Sequence, residues 1–501
     1  MSEPATALEM FDHRVATDPE AVFLVTPDGV ERSYETVAAN VDALASSLAD
    51  RRVEPGEAVL LHLWNEPAWV IATLACWRLG AVVVCCGGQS PPAEAARRAV
   101  LTGARVFIVA DDLDGTGPGA VRVDSEGVTG ERSSGAPESA PLEAVAAVFF
   151  TSGTTGEPKP VRLTHDAIAA GARSTAGAYS RHAEFRPRTA DADTAPAVTF
   201  NPFGHAAPLG RVVFRVYVGR PVVLVRRFDV DTMRTLAARY RFDTLQLTPA
   251  MIHALAYADD DIDLPALRYV TAGTAPLPEK TRDAFEDRYG APVLSAYGST
   301  EGTVTALERL DDVKAGRRGP GSVGRVSDRT PFRIVDDDDN DVEVGETGEL
   351  LGRARPESGV PVDLDGWHHT GDLAHLDADE ILYIDGRKDD RLIVGGFNVE
   401  PAQVEAVIRR HPAVRDVVVV GVEDDRLGDR PVAGIVAASV EVPVDEVVAL
   451  CRSGLEAYKV PRDWFELDEL PLTANGKLDR RRAAEIAGDA LSARTRTGEA
   501  T

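Results

Sequence analysis

The sequence predicts an α/β protein: a large N-terminal domain of parallel α/β sheets, a part built of short strands, and a small α+β domain at the C-terminal end. Three observations point there. Helical and strand periods alternate from residue 33, the pattern turns to short strands and tight turns from Gly324, and a smaller alternation follows Arg387. At 501 residues the chain is too long for one ordinary core. We therefore expect domains 1–387 and 388–501.

From Ser33 to Ala49 the apolar residues Val37, Val41, Leu44 and Leu48 share one helical face, with Ser33 placed to cap the start. Then Ala58 to Leu63 reads as a strand, Pro67 to Leu79 as a helix and Ala81 to Cys86 as a strand. Ala93 to Leu101 reads as a helix and Arg105 to Ala110 as a strand. Residues 111–141, rich in Gly, Ser, Pro, Asp and Glu without periodicity, read as a surface connection. A second α/β stretch runs to about Gly298. Asp336 to Asp341 reads as a hairpin tip between strands Phe332 to Val335 and Val342 to Val344, because the spacing, glycine and glutamate of a calcium loop are missing. In the last part we expect a helix at Pro401 to Arg410, strands at Val417 to Val422 and Ala433 to Ala437, and a helix at Val444 to Leu455. The small, polar tail after Ala487 is expected to fray.

Composition excludes several classes of function. The net charge of −26 disfavours nucleic acid and acidic lipid as partners, because both demand basic patches. No signal-peptide pattern opens the chain, and the apolar run from Val70 to Cys86 is broken by Arg78, so a cytoplasmic protein without a membrane span is expected. Cys76, Cys85, Cys86 and Cys451 show no metal-ligand spacing and read as reduced core thiols. Lysine is scarce beside arginine: only Lys159, Lys280, Lys314, Lys388, Lys459 and Lys477 occur, so each is a separate question.

Val148-Phe149-Phe150 leads into Thr151-Ser152-Gly153-Thr154-Thr155-Gly156-Glu157-Pro158-Lys159-Pro160. Glycines let backbone N–H groups close on an oxyanion, the hydroxyls donate further bonds, and Lys159 adds positive charge: the ingredients of a triphosphate cradle. It is not the P-loop, since no Ser or Thr follows Lys159 and the glycine spacing differs. With Thr271-Ala272-Gly273-Thr274-Ala275-Pro276-Leu277, Tyr297-Gly298-Ser299-Thr300-Glu301, Gly366-Trp367-His368-His369-Thr370-Gly371-Asp372, Gly386-Arg387-Lys388-Asp389-Asp390 and Pro471-Leu472-Thr473-Ala474-Asn475-Gly476-Lys477, the chain resembles the acyl-adenylate-forming superfamily from about residue 30 to 485. That superfamily takes in acyl- and aryl-CoA ligases, peptide-synthetase adenylation domains and luciferases, and the acyl- and aryl-CoA ligases are the nearest branch.

The resemblance implies a barrel-like middle part, a mobile C-terminal domain and a two-step reaction with ATP, Mg²⁺ and coenzyme A. A carboxylate attacks the α-phosphorus of ATP and expels pyrophosphate, so the protein must supply positive charge and alignment to two anions. It implies that Thr151, Ser152, Gly153, Thr154, Thr155 and Lys159 cradle phosphates. Gly273, Thr274, Tyr297, Gly298 and Ser299 would receive the adenine side, and Asp372 and Arg387 the ribose. Thr300 would touch a phosphate oxygen, Glu301 hold Mg²⁺, and Lys477 bridge carboxylate and α-phosphate. Asp389 falls at the hinge, and Gly395 and Gly396 on the face that meets the acceptor. Phe203, His205 and Gly298 fall at the acid pocket, with His205 at its mouth.

The substrate is thus expected to be an aryl or modest acyl acid, with coenzyme A as acceptor; no aspartate stands where amino-acid-activating relatives bind an ammonium. Loading of a carrier protein or transfer to a nitrogen nucleophile stays open as the alternative, and a silent nucleotide-binding relative as the third. Two departures bear on this. Arg353-Ala354-Arg355-Pro356-Glu357-Ser358-Gly359 replaces the family's Gly-Tyr segment in a shortened stretch, and Cys85-Cys86-Gly87-Gly88 stands where relatives have a Pro-containing turn. Oligomeric state is not legible in the sequence.

Overall fold

A computed structural model describes residues 4–113, 120–124, 141–152, 158–181, 196–298, 304–327, 331–354, 360–394, 397–424, 428–438, 442–473 and 478–497. By contacts the chain divides into two compact units. The first is Met1–Thr305 with Arg309–Val313 and Ala354–Val362; the second is Ala306–Glu308, Lys314–Arg353 and Asp363–Thr501.

The first unit is α/β with parallel sheets, as the alternation requires. Its main sheet runs in the order Ala120–Val123, Val106–Ala110, Ala58–Leu63, Val82–Gly87, Val145–Ser152, Pro158–Thr164, parallel throughout except for the final antiparallel pair. The helix Tyr34–Asp50 starts on the Ser33 cap, whose hydroxyl accepts the Thr36 N–H at 3.2 Å. The helix Pro67–Arg78 is buried along nearly its whole length, which explains its unbroken apolar sequence; Trp69 and Trp77 lie fully inside the core with Phe11, Phe23, Tyr34 and Phe149. A smaller sheet orders Glu31–Ser33, Val22–Val25, Val222–Leu224 and Ala197–Thr199. A third row sets Thr244–Leu247, Tyr269–Ala272 and Val293–Gly298 side by side and parallel.

The second unit opens with an antiparallel meander where the barrel-like part is expected. Leu382–Arg387, Trp367–Leu376, Gly348–Arg353 and Phe332–Val335 pair in that order, with Ser322–Val326 on the other side of Leu382–Arg387. Its C-terminal part sets Phe397–Val399, Leu392–Val394, Gly428–Ala437 and Val414–Asp424 in one sheet, with Asp463–Leu467 also pairing to Gly428–Ala437. The helices Pro401–Ile408, Val444–Gly454 and Arg480–Thr497 complete it.

Three expectations are corrected. The connection over 111–141 contains a strand, Ala120–Val123, whose Val121 and Val123 are buried beside Val106–Ala110. Val342 to Val344 is not a strand: Asp336 accepts the backbone N–H groups of Asp338 and Asn340 at the tip, the return is limited to the Asp341–Val335 bridge and the Val342 N–H on the Ile334 carbonyl (3.0 Å), and the chain then turns at Glu343 to Glu346. The tail beyond Ala487 does not fray at that point. Its helix runs to Thr497, because Ala483 and Ala487 are fully buried against Val418, Val420 and Phe465 while Leu491 packs at the edge of that cluster. All four cysteines are buried and free, and burial pushes the Cys451 thiol up to about 11. Among the described residues no helix is long and apolar enough to cross a membrane.

Candidate active site

The segment expected to cradle phosphate begins on a pair of antiparallel strands. Val145–Ser152 and Pro158–Thr164 pair out to Thr151 opposite Lys159 and Ser152 opposite Pro158, with Phe149 and Phe150 buried behind and Lys159 exposed. Gly153, Thr154 and Thr155 lie outside the described residues. The strand ladder therefore delivers Lys159 beside Thr151.

Gly273 and Gly298 end two neighbouring parallel strands. Ala272 pairs with Ser295, and a Cβ built at Gly273 would lie 3.5 Å from the Ala296 carbonyl, so this residue and Tyr297 share one edge of the sheet. The carboxyl ends of parallel strands are where α/β sheets bind ligands. Thr274 is exposed and takes φ +77°, a left-handed backbone rare for a β-branched residue. Strain of this kind concentrates at ligand sites. Tyr297 is half-buried and Gly298 exposed. Ser299, Thr300 and Glu301 lie outside the described residues.

Asn201 to His205 is held by a residue the sequence did not single out. The Asn65 side chain, buried, donates to the carbonyls of Phe200 (3.2 Å) and Asn201 (2.8 Å), and its Oδ1 accepts the Phe203 N–H at 3.1 Å. Phe203, expected at the acid pocket, has its ring fully buried and stacked on Trp69 with centroids 4.1 Å apart, so it anchors the segment. His205 is half-buried and caps the helix Ala206–Val218 in extended conformation, without a side-chain capping bond. Beside it a narrow cleft is walled by Thr199, Asn201, Ala207, Arg211 and Gln246. The Arg211 guanidinium donates to the Val198 carbonyl at 2.9 Å, and the buried Thr199 Oγ1 and Asn201 Oδ1 have no hydrogen-bond partner among the described residues. Arg215, by contrast, is buried and donates to the Pro221 carbonyl.

The Gly87-Gly88 departure has a packing cause. A Cβ at Gly88 would lie 2.5 Å from the Trp64 indole, and one at Gly204 3.1 Å from the Gly87 nitrogen, so the glycines let the indole and the Asn201–His205 segment close on this strand end. Of the other departure, 355–359 lies outside the described residues, while Arg353 lies over the Trp367 ring at 5.4 Å.

In the second unit Asp372 and Arg387 face each other on neighbouring strands, Oδ1 to Nη1 2.8 Å apart, and Arg387 also donates to the Thr370 carbonyl at 3.1 Å. Glu349, Lys388 and His369 form a cluster the motifs did not reveal. Glu349 accepts from Lys388 Nζ at 2.8 Å, His369 Nδ1 at 3.1 Å and the Gly371 N–H at 3.2 Å. Burial raises its pKa, but the bonds from Lys388 and His369 together hold it below the usual carboxylate range. His369 and Lys388 stand inside recognised motifs and Glu349 in the strand Gly348–Arg353; no spacing rule joins them. Asp389 falls in the 3₁₀ turn Lys388–Asp390. Asp390 pairs with Arg480 at 3.0 Å, and Arg480 also pairs with the buried Glu405. Gly395, Gly396 and Lys477 lie outside the described residues. The neighbouring Phe397 is exposed and stacks on Tyr458, with centroids 4.8 Å apart. Among the described residues no three His, Cys, Asp or Glu side chains cluster as a metal cage.

A strand pair leading into the Gly- and Thr-rich segment, a strained turn at parallel strand ends and an Asp372–Arg387 pair carry the motifs that resemble those of adenylate-forming enzymes. The chain belongs to the AMP-binding enzyme family, whose model matches residues 11–355, with the family's C-terminal domain model matching 403–477. It is thus an AMP-forming ligase. It is 30% identical to indoleacetate–CoA ligase of Aromatoleum aromaticum, over 94% of this chain and 96% of that protein. It is also 30% identical to feruloyl-CoA synthase of an Amycolatopsis species, over 93% and 96%. Among solved structures, o-succinylbenzoate CoA synthetase of Bacillus subtilis with its acyl-adenylate intermediate is 25% identical, with a TM-score of 0.81 over 96% of this chain and 98% of that one. An amide bond synthetase of Marinactinospora thermotolerans shares the fold at 24% identity and TM-score 0.82, over 96% and 99%.

Proposed function

We propose that the enzyme activates an aryl or modest acyl carboxylic acid with ATP to give acyl-AMP and pyrophosphate, then transfers the acyl group to the thiol of coenzyme A. The observation that carries this reading is the full-length similarity, at 30% identity, to proteins named as CoA ligases of aryl acids, joined to a hairpin and strand ends that present the nucleotide motifs. Thr151, Ser152, Gly153, Thr154, Thr155 and Lys159 cradle the phosphates, Gly273, Thr274, Tyr297, Gly298 and Ser299 receive adenine, and Asp372 accepts the ribose hydroxyls beside Arg387. Thr300 contacts phosphate oxygen. The carboxylate of Glu301 is a hard oxygen donor that suits Mg²⁺, which when bound offsets phosphate charge. Lys477 neutralises the two anions as they meet.

The acid enters beside His205, and the cleft's unpartnered Thr199 and Asn201 oxygens suit a substrate that carries a polar group. Domains 1–387 and 388–501 meet at Asp389, about which the second swings so that the segment of Gly395 and Gly396 meets the acceptor after Lys477 has acted. The four buried free thiols fit a reducing compartment, the cytoplasm.

The test is acid-dependent pyrophosphate exchange, followed by mass spectrometry of products with coenzyme A, an acyl carrier and small amines offered separately. Thioester with coenzyme A is the expected product. Acyl carrier or amide products replace only the acceptor, and no exchange with any acid removes the reading. Lys477→Ala should slow exchange about 100- to 1,000-fold, the loss typical of a group that stabilises transition-state charge; normal exchange removes its assignment.

A further inference from the structure

Glu349 carries a carboxylate whose side chain is 6% exposed, and its two oxygens reach different parts of the second unit. Oε1 accepts the Gly371 N–H, inside the ribose segment; Oε2 accepts Lys388 Nζ, one residue past the proposed domain boundary, and His369 Nδ1. Gly371 turns with φ +72°, and the rest of that turn is braced by Thr370 Oγ1 on the Leu350 carbonyl (2.7 Å) and the Asp372 N–H on Thr370 Oγ1 (3.1 Å). The carboxylate of Asp372 is therefore placed by a turn that Glu349 pins. Around the cluster Lys388 also meets Asp337 at 3.4 Å and His369 faces Asp339 at 3.9 Å, both exposed acids.

We propose that Glu349 is a positioning residue that couples the ribose-side turn to the hinge through Lys388. A buried carboxylate that loses its permanently charged partner is costly, so the pair with Lys388 holds the chain at 388–390 while the same carboxylate holds the turn of Asp372. When the segment after Lys388 moves, the bond to Lys388 is given up and Glu349 is free to shift, loosening the grip on the ribose. Nucleotide affinity and hinge position are in this way two readings of one carboxylate. The coupling rests on the proposed hinge and on Asp372 as the ribose group.

The test uses the full chain and two readouts: ATP affinity by calorimetry, and KM for ATP against kcat in pyrophosphate exchange. The Lys388 ammonium pairs with Glu349 and Asp337, yet Lys388→Met is expected to weaken ATP about tenfold, the size of one lost charged hydrogen bond, in Kd and KM with less change in kcat. Lys388→Arg is expected to restore most of it. Glu349→Gln should weaken ATP similarly, and adding Lys388→Met to it should change nothing further. Unchanged ATP affinity in Lys388→Met overturns the coupling, as do losses that simply add in the double variant. Should Glu349→Gln fail to fold, the half-exposed Lys388 and its Met and Arg variants decide the question alone. Calorimetry needs no acid substrate, so absence of exchange with every acid counts against the proposed reaction and leaves the coupling to be judged by ATP affinity.

Discussion

The two units hold their motif residues by opposite means. In the first, backbone and apolar packing do the placing: Gly273 and Gly298 end parallel strands, and Asn201 to His205 hangs on the Phe203–Trp69 stack and the Asn65 amide. In the second, charges do it: Asp372 with Arg387, Glu349 with Lys388 and His369, Arg480 with Asp390 and Glu405. Apolar interlocking is lost all at once when it is disturbed, whereas a charged group can exchange one partner for another or for water. The first arrangement suits a fixed substrate platform. The second suits the change of pose proposed for the chain beyond Asp389.

Four substitutions press on this difference, from the largest effect to the smallest. Arg480→Leu removes the nearer cation of the Glu405 carboxylate, 3% exposed, leaving it Arg409 at 3.6 Å, and removes the partner of Asp390, and should destabilise the second unit by about 3 kcal/mol in urea unfolding. A loss below about 1 kcal/mol would mean its ion pairs are as replaceable as surface ones. Phe203→Ala should cost about 3–4 kcal/mol by opening a cavity against Trp69. It should also raise KM for the acid, because the His205 segment loses its anchor; an unchanged KM would separate anchoring from substrate binding.

His165 provides the pH arm. Buried against Trp77, it is pushed down to about 4 from 6.5 by loss of hydration. The unfolded chain then binds a proton below pH 6.5 that the folded one refuses until about 4. Stability of the first unit should therefore fall as pH drops through that window, by on the order of 3 kcal/mol for this residue, and His165→Gln should flatten that slope. At the small end, Arg482 and Glu485 pair across one helical turn with both side chains more than half exposed. Arg482→Ala should change stability by about 0.5 kcal/mol or less.

Much of the first unit was legible in the sequence because its local signals agree with its burial. The strand Ala58–Leu63 and the Ser33 cap fall where the apolar period and the cap residue put them. Where local signal and burial part, reading fails. Ala483 and Ala487 look like solvated small residues, yet a cluster of valines and Phe465 covers them, and alanine is a strong helix former. Val121 and Val123 are too short a pattern to announce a strand inside a Gly-rich stretch. Val342 to Val344 alternates with acids as a strand should, and the Val342 N–H still reaches the Ile334 carbonyl, but the chain turns away at Glu343 to Glu346, where Gly345 takes φ +92°. At the site, motifs supplied residue types in chain order. They could not supply Asn65, 138 positions before Phe203, nor Glu349, 39 before Lys388, because such pairings exist only once the chain is folded.

Five tryptophans are spread through the chain, and their burial sorts them as light emitters. Trp69, Trp77 and Trp464 are enclosed, while Trp64 and Trp367 are half-buried, each beneath two arginine guanidinium groups and one in each unit. A soluble collisional quencher should dim those two indoles first. Trp367 opens the strand that carries Asp372, so replacing Trp64 with Phe leaves it the one half-buried indole, whose quenchable emission can time nucleotide arrival at the proposed ribose group without any label.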